Sequence, residues 1–325
     1  MRRAHMRLLA AIGLLVLPIS ACASSGASNI PSGSGPEKAH ITVATLPIPD
    51  AAPLFIAMHR GFFKQQGLTV TPEIITNTPA ATPKLLAGTL DFSLLNYVST
   101  FEIEQTGVKF AIVADDSQSA PDYFDIMVPK GSPITSPAQL KGKTLAVPAP
   151  KAIGTLGVDS VLKPYGITQS QVKFAYIPFP NMLAALKTGQ IDAAVEVDPF
   201  VTQMESMLGA HALADIMTGA TANFPVGGWG TVEQYAKKYP KTVAAFQRAI
   251  IHGEQVAASS RKAVEQILPT YTKITPQVAS VISLPVFPTA LSTIRLQRAA
   301  DLMLQFGLIH QHLDVSPMVL PPPKS

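Results

Sequence analysis

The sequence predicts an α/β protein of two lobes, each a parallel-rich sheet with flanking helices, joined by two hinge crossings. Three observations carry that expectation. The first is an internal repeat: Leu85–Ser93 returns as Leu186–Ala194, with Asp192 standing 101 positions after Asp91. A repeat on that scale is a domain, not a solenoid unit. The second is alternation, because each copy reads strand, helix, strand, helix, strand, the pattern of a parallel sheet with right-handed crossovers. The third is a change of character after the second copy, where apolar residues recur at helical spacing to the end of the chain.

In the first copy, Ile41–Leu46 is an apolar strand and Pro53–Arg60 a helix, followed by the strand Thr69–Ile75 and the helix Pro79–Ala87. In the second, Thr144–Pro148, Thr155–Lys163, Val172–Ile177 and Met182–Thr188 take the same places. Gly88 and Gly189 then close the second helix of each copy with a residue able to adopt positive φ, and an Asp-led apolar strand follows. Pro83 would stand at the fifth helical position, where an N–H is needed, so that helix has an alternative start at Thr82. Between the copies Phe124–Val128 is a strand-like crossing, and Val226–Thr231 is the return. Helices are expected over Pro240–Ser259, Lys262–Leu268, Pro276–Ile282 and Leu291–Phe306, with Gly307 as a stop. The expected division is residues 40–125 and 229–325 for the first lobe and 126–228 for the second.

The N-terminus addresses the compartment. Arg2, Arg3 and Arg7 precede the apolar run Leu8–Ile19, which is too short for a stable membrane span and ends in Ile19-Ser20-Ala21-Cys22. Residues 1–21 therefore read as a secretion leader whose end looks like a lipobox, with Cys22 as the lipidated first residue of the mature chain. Cys22 is the sole cysteine, so no internal disulfide can form. Residues 22–39, rich in Ser, Gly and Pro at their start, read as a flexible tether. Removing the leader takes three of the 25 basic residues and leaves 22 against 21 acidic ones, a formal charge of about +1. No basic run with interleaved aromatics remains, which argues against nucleic acid.

At this point the residues form a recognisable set. Ile41–Ala44 with Ala57–Val70, Leu140–Val147, and Gly189–Ala194 with Asp198-Pro199-Phe200 resemble periplasmic-type binding proteins of the nitrate, sulfonate, taurine and thiamine-precursor group. The resemblance covers roughly Ile41 to Phe246. It implies a type II periplasmic binding protein fold and capture of a small solute for an ABC importer, with the permease and its ATPase as partners. The lipobox makes a lipid anchor the sole expected membrane attachment, and a monomer without a cofactor is expected. A sensor docking to a membrane receptor uses the same closed form. The thiamine-pyrimidine synthases share the fold, but they resemble a Cys-rich suicide enzyme, and the mature chain has no cysteine beyond Cys22.

Ligands of parallel sheets sit at the carboxyl ends of strands, where loops feed helix N-termini. That rule selects Pro49, Asp50, Asn77, Thr78, Asn96, Ser99 and Asp115 in the first lobe, and Thr155, Asn181, Glu196, Asp198 and Phe200 in the second. Trp229, the sole tryptophan, lies in the return crossing between two glycines and could wall the cleft. Asp91 and Asp192 are assigned to organising the turn after each glycine. Acidic residues outnumber the one basic strand-end residue, Lys151, which tilts the expected ligand toward a cation or donor-rich heterocycle, although converging helix N-termini could still hold an anion. No Gly-x-Ser-x-Gly elbow or phosphate loop is present, and His310 and His312 read as solvated rather than as a zinc pair. The chain is therefore expected to bind rather than to catalyse, without a metal.

Overall fold

The computed structural model describes residues 35–323. Cys22, the leader and most of the expected tether lie outside the described residues. Ten strands form two sheets. They are β1 (His40–Thr45), β2 (Thr69–Ile74), β3 (Phe92–Asn96), β4 (Phe110–Gln118), β5 (Phe124–Val128), β6 (Thr144–Val147), β7 (Lys173–Tyr176), β8 (Ala193–Val197), β9 (His211–Asp215) and β10 (Pro225–Val232). The first sheet runs β2-β1-β3-β10-β4 and the second β7-β6-β8-β5-β9. The two orders superimpose once β10 is matched with β5, so the sequence repeat is a topological one.

Each sheet carries one strand against the grain. The pairs of β1 with β2 and β3, and of β6 with β7 and β8, are parallel, whereas β10 and β5 run antiparallel to both their neighbours. The reason is connectivity. A strand entered from the other lobe starts at the cleft, whereas the parallel strands end there, so the entering strand must run the opposite way. The crossings are accordingly the non-strand segments 119–123 and 216–224. Boundaries at 125/126 and 228/229 would cut through β5 and β10, which belong whole to the second and first sheets. The crossings are pinned together: Ser119 N donates to the Phe224 carbonyl at 2.9 Å, and Phe224 N donates to Ser119 Oγ at 2.8 Å.

Local chemistry sets the repeated turns. Gly88 and Gly189 have φ of 72° and 71°, the left-handed conformation that closes a helix without a Cβ clash. Asp91 and Asp192 then each accept the backbone N–H of the neighbouring first strand, from Thr42 and Thr144 respectively, both at 2.8 Å. Pro83 is accommodated because Thr78–Ala81 is a short 3-10 turn and the α-helix begins at Thr82, which puts the proline in the first turn, where no N–H is required. The helix Pro240–Ser259 lays Val243, Phe246, Ala249 and Ile250 on the first lobe, and Phe246 stacks on Phe92 with ring centroids 3.9 Å apart. Shorter C-terminal helices add a satellite core around Val264, Leu268 and Ile282.

Candidate ligand cleft

The strand ends of the two sheets meet in a cleft. From the first lobe it is lined by Leu46, Ile48, Asp50, Asn77, Thr78, Pro79 and Leu94–Asn96, and from the second by Phe124, Pro148, Ala149, Ala152, Ile153 and Phe179, with Val226 and Gly227 at the base of β10. The void measures about 50 Å³, far below the roughly 300–1,000 Å³ of ordinary small-molecule sites. The lobes are thus drawn together over the cleft.

Asp50 is the carboxyl of this cleft. It lies in the 3-10 turn Pro49–Ala51 that precedes the helix Ala52–His59, and it is 3% exposed. Its Oδ2 accepts the Tyr123 hydroxyl, which ties the cleft to the first crossing. Burial pushes its pKa up, opposed by hydrogen bonds from Ser117 and Tyr123. Asn77 and Asn96 sit at helix starts, where their Oδ1 atoms accept N–H groups of Ala80 at 3.1 Å and Ser99 at 3.3 Å. Their Nδ2 groups have no partner among the described residues.

Four of the expected site residues therefore line the cleft together: Asp50, Asn77, Thr78 and Asn96. The others are placed around it. Pro49 is buried at the head of the turn that carries Asp50. Ser99 donates its hydroxyl across the lobes to the Lys151 carbonyl at 3.3 Å. Phe200 backs the cleft by stacking on Phe179, with centroids 5.9 Å apart. Thr155 caps its own helix through Ala152 N at 3.0 Å and faces a neighbouring groove. Asn181 is exposed in the first turn of the helix Phe179–Lys187, which starts before it because Pro180 is tolerated there.

The remaining acids are held inside their lobes or between them. Asp115 pairs with Arg295 at 3.0 Å and accepts the Tyr97 hydroxyl at 3.0 Å, while burial raises its pKa to about 6. Glu196 is fully buried with no hydrogen-bond partner on either oxygen, and burial drives it toward the neutral form. Asp198 accepts Thr202 Oγ1 at 2.8 Å and Ser283 N at 2.6 Å, the second bond joining the lobes. Lys151 pairs across the lobes with Glu102 at 2.5 Å. Trp229 is not in a crossing: it is fully buried within β10, and its indole N–H is shared between Asp116 Oδ1 at 2.8 Å and Glu254 Oε1 at 3.0 Å.

Strand-end reasoning missed Ile48, Phe124, Ala149 and Phe179. The repeat could have supplied one of them, because adding its offset of 101 to Thr78 gives Phe179. Among the described residues, no group of three or more His, Cys, Asp or Glu side chains is placed to hold a metal ion. Nor is any described helix long and apolar enough to cross a membrane.

Two α/β lobes of matching topology, joined by paired crossings and closed over a cleft at their strand ends, define the periplasmic binding protein fold. Within it, the chain belongs to the NMT1/THI5-like family, whose profile matches residues 48–263. It is 27% identical over 153 residues to the 4-amino-5-hydroxymethyl-2-methylpyrimidine phosphate synthase THI13 of Saccharomyces cerevisiae, covering 47% of this chain and 44% of that one. It is 30% identical over 125 residues to the taurine-binding periplasmic protein of Escherichia coli, covering 38% of each. The chain thus spans less than half the length of these curated relatives. Its fold is similar to that of the alkanesulfonate-binding protein SsuA from Xanthomonas axonopodis pv. citri bound to MOPS, with a TM-score of 0.74, 20% identity, and coverage of 87% of this chain and 99% of that one.

Proposed function

We propose that the protein is an extracytoplasmic solute-binding lipoprotein, anchored through Cys22, that captures a small molecule between its lobes and delivers it to an ABC-type permease and its ATPase. The observation that supports this most is the cleft itself. It is built from the strand ends of both sheets and is bridged by contacts that form only when the lobes approach, namely Lys151 with Glu102 and Asp198 with Ser283. Such contacts, together with a solute touching both lobes, bias an open–closed equilibrium toward the closed form. Binding without turnover fits the taurine-binding relative and the alkanesulfonate-binding structure, whose names describe binding proteins.

Two measurements test the reading. Cys22→Ala followed by cell fractionation should release the protein from the membrane; a variant that stays membrane-bound and normally processed removes the anchor. Deleting the gene should abolish uptake of the solute that co-purifies with the protein, and unchanged uptake removes the transport role. The yeast relatives motivate one competing reading, in which the chain is a pyrimidine phosphate synthase like those relatives. Recovery of the co-purified solute chemically unchanged after incubation with the protein counts against it.

A further inference from the structure

The charge of the cleft lies on one side. Asp50 follows β1 in the first lobe and Lys151 follows β6 in the second. Asp50 lines the cleft, whereas Lys151 does not and instead pairs with Glu102. Among the described residues that line the cleft there is no Lys, Arg or His. An anion entering it would face a carboxyl without a compensating cation.

Helix starts are the remaining source of positive potential, and here they are partly engaged by their own side chains. Asn77 bonds Ala80 N, Asn96 bonds Ser99 N, and Thr155 bonds Ala152 N. This use of the amide oxygens leaves the Nδ2 groups of Asn77 and Asn96 as donors at the cleft, beside the half-buried Thr78 hydroxyl, which has no partner among the described residues. The polar lining therefore divides into an acceptor, Asp50, and a set of donors. The apolar remainder includes the rings of Phe124 and Phe179, flat surfaces suited to a planar solute.

We propose that the cleft selects a small planar solute, uncharged or cationic, that donates N–H groups to Asp50 and accepts hydrogen bonds from Asn77, Asn96 and Thr78, and that it discriminates against simple oxyanions. The proposal rests on the solute-binding reading above and names the chemistry of that site. Asp50 is its specificity-determining group. Tyr123, which holds the Asp50 carboxyl from the crossing, is a positioning residue.

The test is calorimetric titration of the mature protein with four probes: 2-aminopyrimidine, benzamidine, ethanesulfonate and nitrate. At least one nitrogen probe is expected to bind at least tenfold more tightly than either oxyanion. Asp50→Asn should weaken that probe by roughly five- to tenfold, the difference between a hydrogen bond to a charged acceptor and one to a neutral acceptor, and should not weaken an oxyanion. Thr78→Val, isosteric and at the cleft edge, should weaken the same probe by a smaller factor and covers the case in which the Asp50 variant fails to fold. Tighter or equal binding of ethanesulfonate or nitrate overturns the proposal, as does an Asp50→Asn variant with parental affinity for the nitrogen probe. Failure of all four probes also overturns it, whereas the solute-binding reading fails only if a small-molecule extract of the host leaves the protein's melting temperature unmoved.

Discussion

Replacing Asp125 with Asn should stabilise the protein, and the gain should depend on pH. Asp125 is the second residue of β5 and is 3% exposed. Strand register sets it opposite Glu196 on β8 and Asp215 on β9. Burial raises its pKa to about 7, with further upward pushes from Asp215, Asp122, Asp198 and Glu205. The folded protein therefore keeps a proton that the unfolded chain loses near pH 4. Stability falls as pH rises through this window and stays low above 7. The difference between the two values corresponds to about 4 kcal/mol. Asn has the shape of the neutral acid and cannot ionise, so Asp125→Asn should match the parent near pH 4.5 and exceed it by about 3–4 kcal/mol at pH 7.5. Urea unfolding followed by circular dichroism at intervals between those pH values measures the difference. Asp115 and Asp159, each raised to about 6 by burial, add slope to parent and variant alike and cancel in the comparison. A variant-minus-parent difference that does not change with pH would refute the reasoning.

Asp198→Ala removes the acceptor of Ser283 N and with it one of the bonds between the lobes. At about 1.5–3 kcal/mol for a bond to a charged group, the open form should gain roughly ten- to a hundredfold, seen as a larger radius of gyration in solution scattering; an identical profile rules out the latch. Trp229→Phe deletes the indole donor shared by Asp116 and Glu254 and should lower stability by about 2–4 kcal/mol, with a parental unfolding midpoint as the contrary result. Gly253 lies in the helix Pro240–Ser259, where a Cβ would fall 2.3 Å from the Pro53 carbonyl oxygen. Gly253→Ala should therefore cost about 1–3 kcal/mol through forced separation of that helix from Ala52–His59, and a neutral effect on the melting temperature would contradict this packing.

Most of the architecture was legible in the sequence because it is written in local signals. Glycine at the end of each second helix, the Asp that follows it, and the alternation of strand and helix are properties of neighbouring residues, and their recurrence after 101 positions identified two equivalent lobes. The helix Pro240–Ser259 was bounded by sequence pattern alone. The same signals placed Asp50, Asn77, Thr78 and Asn96 at strand ends, where the cleft lies.

Side-chain destination was a different matter, since a strand-end position says where a residue is and not what it touches. Asp50 and Lys151 both follow the first strand of their lobes, yet one faces the cleft and the other reaches across to Glu102. Asp198, Glu196 and Asp115 are alike as acids on paper, but the fold makes them a bridge between lobes, an unpartnered buried carboxyl and the partner of Arg295. Trp229 entered the core because β10 begins at Pro225, a boundary set by pairing with Gln118 on a strand more than a hundred residues away. By itself, the sequence determined two repeated lobes and the rim on which the candidate site residues stand. Only the tertiary structure decided which of those groups face the cleft, because that depends on contacts between residues far apart in the chain, which no local pattern records.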